Sequence, residues 1–254
     1  MKPRFDAPVK QAVILAAGIG SRLFPLTADR PKAMVDMLEG PALHRTLRQL
    51  RRAGLERVVV VVGYEADYVV RETGHIFEGL SIEYVRNELF RETGTAASLL
   101  ATAHALGEPS LVIEGDVLFE QKLLERLLSN LPGEEVAAIS PFVPPLSGTA
   151  VTLEGNKISS FTRGVPQGQR PGLFKTVNLF RFSADTLRQV LTPALSRRVD
   201  SDPKAYLEDV LGDLVATGRL ALVALHCGDM KWFEVDDEPD LVHARAMFRE
   251  QPNQ

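Results

Sequence analysis

The sequence predicts an α/β fold: a mostly parallel, mixed central sheet with helices on both faces. Short apolar runs alternate with helix-period segments through the first half, the order that builds parallel sheets. One run, residues 58–62, is five consecutive valines, the mark of a strand covered on both faces. Of 254 residues, 45% are hydrophobic and 24% charged, an ordinary globular balance that excludes disordered, collagenous and coiled-coil classes. With no linker, low-complexity tract or repeat, 1–254 reads as one domain with short tails at 1–10 and 250–254.

Each element has its own warrant. Val13, Ile14 and Leu15 make a first buried strand. A helix follows over 40–54, with Pro41 near its start and Gly54 past its end, the usual asymmetry of helix termini. Further strands are read at 58–62, 82–85, 110–113 and 136–139, with helices at 66–72, 96–106 and 121–128. The second half changes character. Segments 151–153 and 158–162 flank Glu154-Gly155-Asn156 as a β-hairpin. Residues 163–172 hold three glycines and two prolines and read as a mobile loop, so hairpin and loop together predict a lid. A strand near 176–180, helices near 184–191 and 205–215, strands near 220–225 and 232–235, and a helix over 239–248 complete the chain.

Charge narrows the function classes. The balance of 29 basic against 33 acidic residues gives a net charge of −4, so no nucleic-acid partner is expected. The lone cysteine, Cys227, excludes an internal disulfide and a cysteine-rich zinc site. No apolar run approaches the ~18 residues of a membrane helix. Lys2, Arg4 and Lys10 precede an apolar stretch at 12–20, but it ends in Gly20-Ser21-Arg22 with no further apolar run. That is better read as a strand and glycine turn than as a secretory leader. The expected setting is the cytoplasm.

The informative segment is Leu15-Ala16-Ala17-Gly18-Ile19-Gly20-Ser21-Arg22-Leu23, with Pro25-Leu26-Thr27 and Pro31-Lys32-Ala33-Met34-Val35 after it. Small residues directly after a strand let backbone N–H groups approach phosphate oxygens. Arg22 adds a bidentate donor and Lys32 a compact charge. The segment is neither G-x-G-x-x-G nor G-x-x-x-x-G-K-[ST], so the dinucleotide fingerprint and the P-loop are both absent. The histidines show no metal-ligand spacing, and no G-x-S-x-G elbow marks a serine nucleophile.

These motifs resemble the signature of nucleotidylyltransferases with a Rossmann-like three-layer α/β/α fold. The resemblance implies a nucleotide site at Leu15, Ala16, Ala17, Gly18, Gly20, Ser21, Arg22 and Lys32. It adds a base-recognition loop at Asn87, Thr93, Gly94, Thr95 and Ser98. Gly94 and Thr95 also read as a plain helix start. Lys32, Arg22 and Asp116 take the catalytic roles. Asp116, in Glu114-Gly115-Asp116 after a strand, resembles the family's metal aspartate; by register Asp236 is its partner, with Glu234 the alternative. Together they imply Mg²⁺, which suits oxygen ligands.

Within the family, the segments 114–120, 175–180 and 232–236 resemble cytidylyltransferases of small phospho- and phosphono-compounds, including enzymes for phosphocholine and 2-aminoethylphosphonate. The chain departs from the phosphocholine pattern at Gly94-Thr95-Ala96-Ala97, where those relatives carry asparagines and an aromatic. A trimethylammonium group favours aromatic faces, and this chain has four tyrosines and one tryptophan. Arg163, Arg170 and Lys175 cluster around the mobile loop in sequence, which suits an anionic acceptor. Lys175, Asn178 and Arg163 are therefore the expected acceptor-binding residues. The expected reaction is CMP transfer from CTP to a small phosphonate or phosphate. A sugar-1-phosphate nucleotidylyltransferase using UTP or dTTP and a non-catalytic nucleotide-binding regulator are the alternatives. The oligomeric state stays open, a homodimer being one outcome.

Overall fold

The computed structural model describes residues 8–129 and 134–249, so the two expected tails lie wholly or largely outside the described residues. In chain order the strands are β1 (Gln11–Ala16), β2 (Asp36–Leu38), β3 (Gly40–Pro41), β4 (Arg57–Val62), β5 (Ile76–Phe77), β6 (Leu80–Arg86), β7 (Ser110–Glu114), β8 (Val117–Phe119), β9 (Glu135–Pro141), β10 (Ala150–Glu154), β11 (Lys157–Thr162), β12 (Phe174–Phe182), β13 (Leu222–His226) and β14 (Trp232–Glu234). The helices are α1 (Ala42–Arg52), α2 (Ala66–Thr73), α3 (Thr95–Leu100), α4 (Gln121–Leu128), α5 (Thr192–Ser201), α6 (Leu207–Ala216) and α7 (Glu238–Arg249).

Ten strands form one sheet in the order β10-β11-β13-β9-β12-β7-β1-β4-β6-β5. Its centre is parallel: β1 pairs with β4 and β7, and β4 with β6. β12 runs antiparallel between β7 and β9. The five valines of β4 explain the layering. Val58, Val60 and Val62 enter one core with Leu43, Leu47, Val69 and Leu123, while Val59 and Val61 enter another with Leu99, Leu195 and Leu211. Successive strand residues face opposite sides, so a strand apolar throughout must be sandwiched between helices. Each of those valines is fully buried, contributing on the order of 1.5–3 kcal/mol apiece. No helix among the described residues is long and apolar enough to cross a membrane.

The chain moves outward from β1 to β4 and β6, then returns to β7 on the other side of β1. That reversal is a topological switch point, and open α/β sheets bind ligands outside the carboxyl ends of the strands there. Two expectations shift in detail. The helix expected over 96–106 stops at Leu100 and resumes as a 3-10 turn at Ala103–Ala105. The helix expected near 184–191 is a π-helical turn, Thr186–Leu191, running into α5. The hairpin expected as part of a lid is the sheet's edge, since β10 also pairs with β12 and β11 with β13. The loop after it is tied down by Arg170, whose guanidinium donates to the carbonyls of Leu146 (2.6 Å) and Val165 (3.2 Å).

Candidate active site

The glycine turn leaves β1 at the switch point. Gly20 is left-handed (φ 72°), and a Cβ there would sit 2.5 Å from the Lys32 Cβ, so the position favours glycine twice over. Its carbonyl accepts from the Leu23 N–H at 2.9 Å and from Thr27 Oγ1 at 3.0 Å. Among the described residues the N–H groups of Gly18, Ile19 and Gly20 donate to no backbone carbonyl, and space lies open beside Gly18. Free amides at a strand end are what an anion needs. Leu15, Ala16 and Ala17 are buried; the Leu15 carbonyl accepts from Gly115 N–H, and that of Ala17 from Tyr64 N–H. Ser21 and Arg22 begin a 3-10 turn, with Arg22 largely exposed.

Across this turn the structure brings together Lys32, Asp116, Asp236 and Arg22. The Lys32 ammonium lies 2.8 Å from Asp116 Oδ2 and 2.8 Å from Asp236 Oδ1, and Arg22 Nη2 meets the same Asp236 oxygen at 2.8 Å. Burial disfavours the Lys32 charge, yet the two aspartates outweigh it and hold the ammonium well above its ordinary value. Burial raises Asp236, but Lys32 and Arg22 bring it below the ordinary carboxylate value. Pairing of β8 with β14 makes this meeting possible: Glu234 stands opposite Val117, and Val235 N–H donates to the Asp116 carbonyl at 3.0 Å.

A second group of acids lies alongside. Glu114, Asp116 and Glu234 offer oxygens within 4.8 Å of one another, and Glu114 Oε1 and Asp116 Oδ1 are buried without a hydrogen-bond partner. Orphaned carboxylate oxygens so close together fit a hard cation such as Mg²⁺. Burial, then the charges of Glu208, Asp116 and Glu234, push Glu114 well up. Burial lifts Glu234 to about 7 against the opposing pull of Lys175. Asn178, left-handed (φ 61°) in a bulge of β12, donates from Nδ2 to Glu114 Oε2 at 2.9 Å.

The segment expected to read the base is pinned from two sides. Asn87 Nδ2 donates to Thr93 Oγ1 at 2.9 Å and Ser98 Oγ at 3.1 Å, while its Oδ1 accepts from Leu89 N–H. The amides of Gly94 and Ala96 are already spent on the carbonyls of Pro203 and Ala205, and Thr95 Oγ1 accepts from Leu207 N–H. Gly94 and Thr95 therefore shape this loop as packing residues, with those polar groups turned to 203–207.

The three cations expected to gather for an acceptor share no contact among the described residues. Arg163 pairs with Asp209 at 3.0 Å and lies over Tyr206. Arg170 lies over Phe142. Lys175, 1% exposed, is committed to Glu234 Oε2 at 2.9 Å and the Thr176 carbonyl at 2.6 Å. The sequence counted their charges without seeing their partners. Sequence reasoning also passed over Glu114, which the acid-glycine-acid pattern at a strand end could have flagged, and Glu208 and Thr149, which no local signal marks.

Residues 12–151 match the model of the MobA-like NTP transferase domain. The chain belongs to that family. It is 34% identical over 254 residues to CMP-5'-(3-aminopropyl)phosphonate synthase of Streptomyces rubellomurinus, covering 97% of this chain and 40% of that one. Two solved structures share the fold of this chain. A UDP-glucose pyrophosphorylase with UDP-glucose superposes at TM-score 0.78 and 18% identity, over 95% of this chain and 99% of that one. The CTP:phosphocholine cytidylyltransferase of Streptococcus pneumoniae does so at TM-score 0.76 and 18% identity, over 95% and 99%.

Proposed function

We propose that this nucleotidyltransferase moves CMP from CTP to a small phosphonate or phosphate acceptor and releases pyrophosphate. The observation that carries the reading is Lys32 held between Asp116 and Asp236 beside unspent glycine-loop amides. The choice of CTP and a phosphonate is supported by the likeness to the aminopropylphosphonate synthase over nearly the whole of this chain.

An ionised acceptor oxygen attacks the α-phosphorus in line; the new P–O bond forms as the bond to the β-phosphate oxygen breaks, and pyrophosphate leaves. That nucleophile needs no general base, so the protein's task is positioning and charge stabilisation. Amides of Gly18, Ile19 and Gly20, with the Arg22 guanidinium, hold the triphosphate. Lys32 exchanges its aspartates for the α-phosphate, where charge grows as the bond breaks. Asn87, Thr93 and Ser98 hold the loop that faces the base. Asp116 and Asp236 would hold a Mg²⁺ ion, with Glu234 as a third acid within reach; when bound, it supplies neutralising charge to the phosphates. The test is pyrophosphate release with CTP, UTP and dTTP against phosphonates, phosphocholine and hexose 1-phosphates. CTP with a phosphonate gives the fastest release; preference for UTP or dTTP with a hexose phosphate rejects the reading.

A further inference from the structure

Two lysines face the acids of this site, and they are held differently. Lys32 spans Asp116 and Asp236 beside the glycine turn, where a phosphate can draw it away. Lys175 is sealed in. It is 1% exposed, and its ammonium donates to Glu234 Oε2 at 2.9 Å and to the Thr176 carbonyl at 2.6 Å. The Trp232 ring lies 5.9 Å from the same ammonium, within reach of a cation–π contact. Gly148 closes over the pair: a Cβ there would sit 2.7 Å from Lys175 Cε and 3.6 Å from Glu234 Oε2. The next residue, Thr149, donates from Oγ1 to Glu208 Oε1 at 3.0 Å, and Glu208 acts on the Lys175 charge along with Glu234. A carboxylate and a backbone carbonyl, with a further acid behind them, are the oxygen donors that a hard divalent cation takes. Here the chain's own ammonium has that place.

Resting on the reading of a metal ion held by Asp116 and Asp236, we propose that Lys175 is a built-in cation. It fills the place beside Glu234 that a second ion would take, and so limits the site to one metal. Two physical effects enforce the limit. The ammonium commits Glu234 Oε2 and the Thr176 carbonyl, so neither is available as a ligand. Its fixed charge also repels a second cation at short range in a buried setting, where water screens little. Lys175 is thus a positioning residue that acts on the metal through Glu234, and it does not touch the acceptor.

The test counts manganese by electron paramagnetic resonance on the intact protein, with and without CTP, for wild type and Lys175→Met. Methionine keeps an unbranched side chain and removes the charge. Wild type takes up one equivalent. Lys175→Met takes up a second, because a buried Glu234 without a counter-charge calls for one. Trp232 is the only tryptophan and stands 5.9 Å from the ammonium, so quenching of its fluorescence by the paramagnetic ion accompanies the second equivalent. Adding Glu234→Gln to Lys175→Met returns the count to one. If Lys175→Met does not fold, Lys175→Gln is read in the same way. A second equivalent in wild type, or a single one in the folded variant, overturns the proposal and leaves the metal reading standing. A wild-type protein that binds no manganese, with or without CTP, rejects the metal reading and this proposal with it.

Discussion

Asn178 Nδ2 donates to Glu114 Oε2 across 2.9 Å, joining the bulge of β12 to the end of β7. This bond fixes one oxygen of Glu114 and leaves the other, Oε1, without a partner. A left-handed asparagine at φ 61° supplies it, one of the few non-glycine residues that tolerate that backbone region. The acid pocket is thus built by a local departure from regular strand geometry.

Lys32 tests the phosphate chemistry. Lys32→Ala removes the charge proposed to stabilise the α-phosphate as the bond breaks, and lowers kcat by about 10² or more. Circular dichroism and steady-state pyrophosphate release check fold and rate. Near-normal turnover in a folded variant removes Lys32 from the mechanism.

The proposed metal ligands separate by substitution. Asp116→Asn and Asp236→Asn each lose metal-dependent turnover, because each deletes a charged oxygen donor. Manganese binding followed by electron paramagnetic resonance should weaken in step. If Asp236→Asn keeps both and Glu234→Gln loses both, the ion sits in the cluster of Glu114, Asp116 and Glu234.

Two glycines differ in what they protect. A Cβ at Gly94 would lie 2.2 Å from the Ala205 carbonyl oxygen, whereas at Gly18 it meets nothing within 4 Å. Gly94→Ala therefore destabilises the fold by about 1–3 kcal/mol, the usual cost of overpacking. Gly18→Ala leaves the unfolding midpoint near wild type and weakens CTP binding by crowding the phosphate approach. Urea denaturation and a CTP titration distinguish them; a stable Gly94→Ala protein contradicts the packing account.

How far the sequence could be read follows from the same residues. The strands β1, β4 and β7 and the glycine turn were legible, because strand burial and phosphate-binding turns leave local patterns; Lys32 and Asp116 were marked by the family resemblance, and the structure brings the two to 2.8 Å. The buried group of Glu114, Thr149, Lys175, Glu208 and Glu234 was not legible as a group. Its members come from separate elements, brought together by the β12 bulge, the β8–β14 pairing and the packing of α6. Strands as short as β2, β3 and β5 lack the length to show alternation. Arg163 and Arg170 misled, since a sequence shows a cation but not the Asp209 or the carbonyl that engages it.

Cys227 offers a check on the interior. It is buried, and burial pushes its thiol up to about 12. A folded sample at pH 8 keeps the thiol protonated, because that pH lies far below the shifted value, so labelling by a thiol reagent is slow. In urea the thiol returns to about 8.5 and reacts quickly. Fast labelling of the native protein would contradict the burial.

The Lys32 ammonium between Asp116 and Asp236 has one more consequence. The protein supplies its own counter-ion, so Asp116 and Asp236 are neutralised from within before any ligand arrives. Folding is then uncoupled from metal supply, unlike that of small domains which collapse only around their ion. A chelator should leave the melting temperature unchanged, and a drop of several degrees would contradict this. Where divalent ions run short, the chain would stay folded, ready for the proposed metal and nucleotide to return.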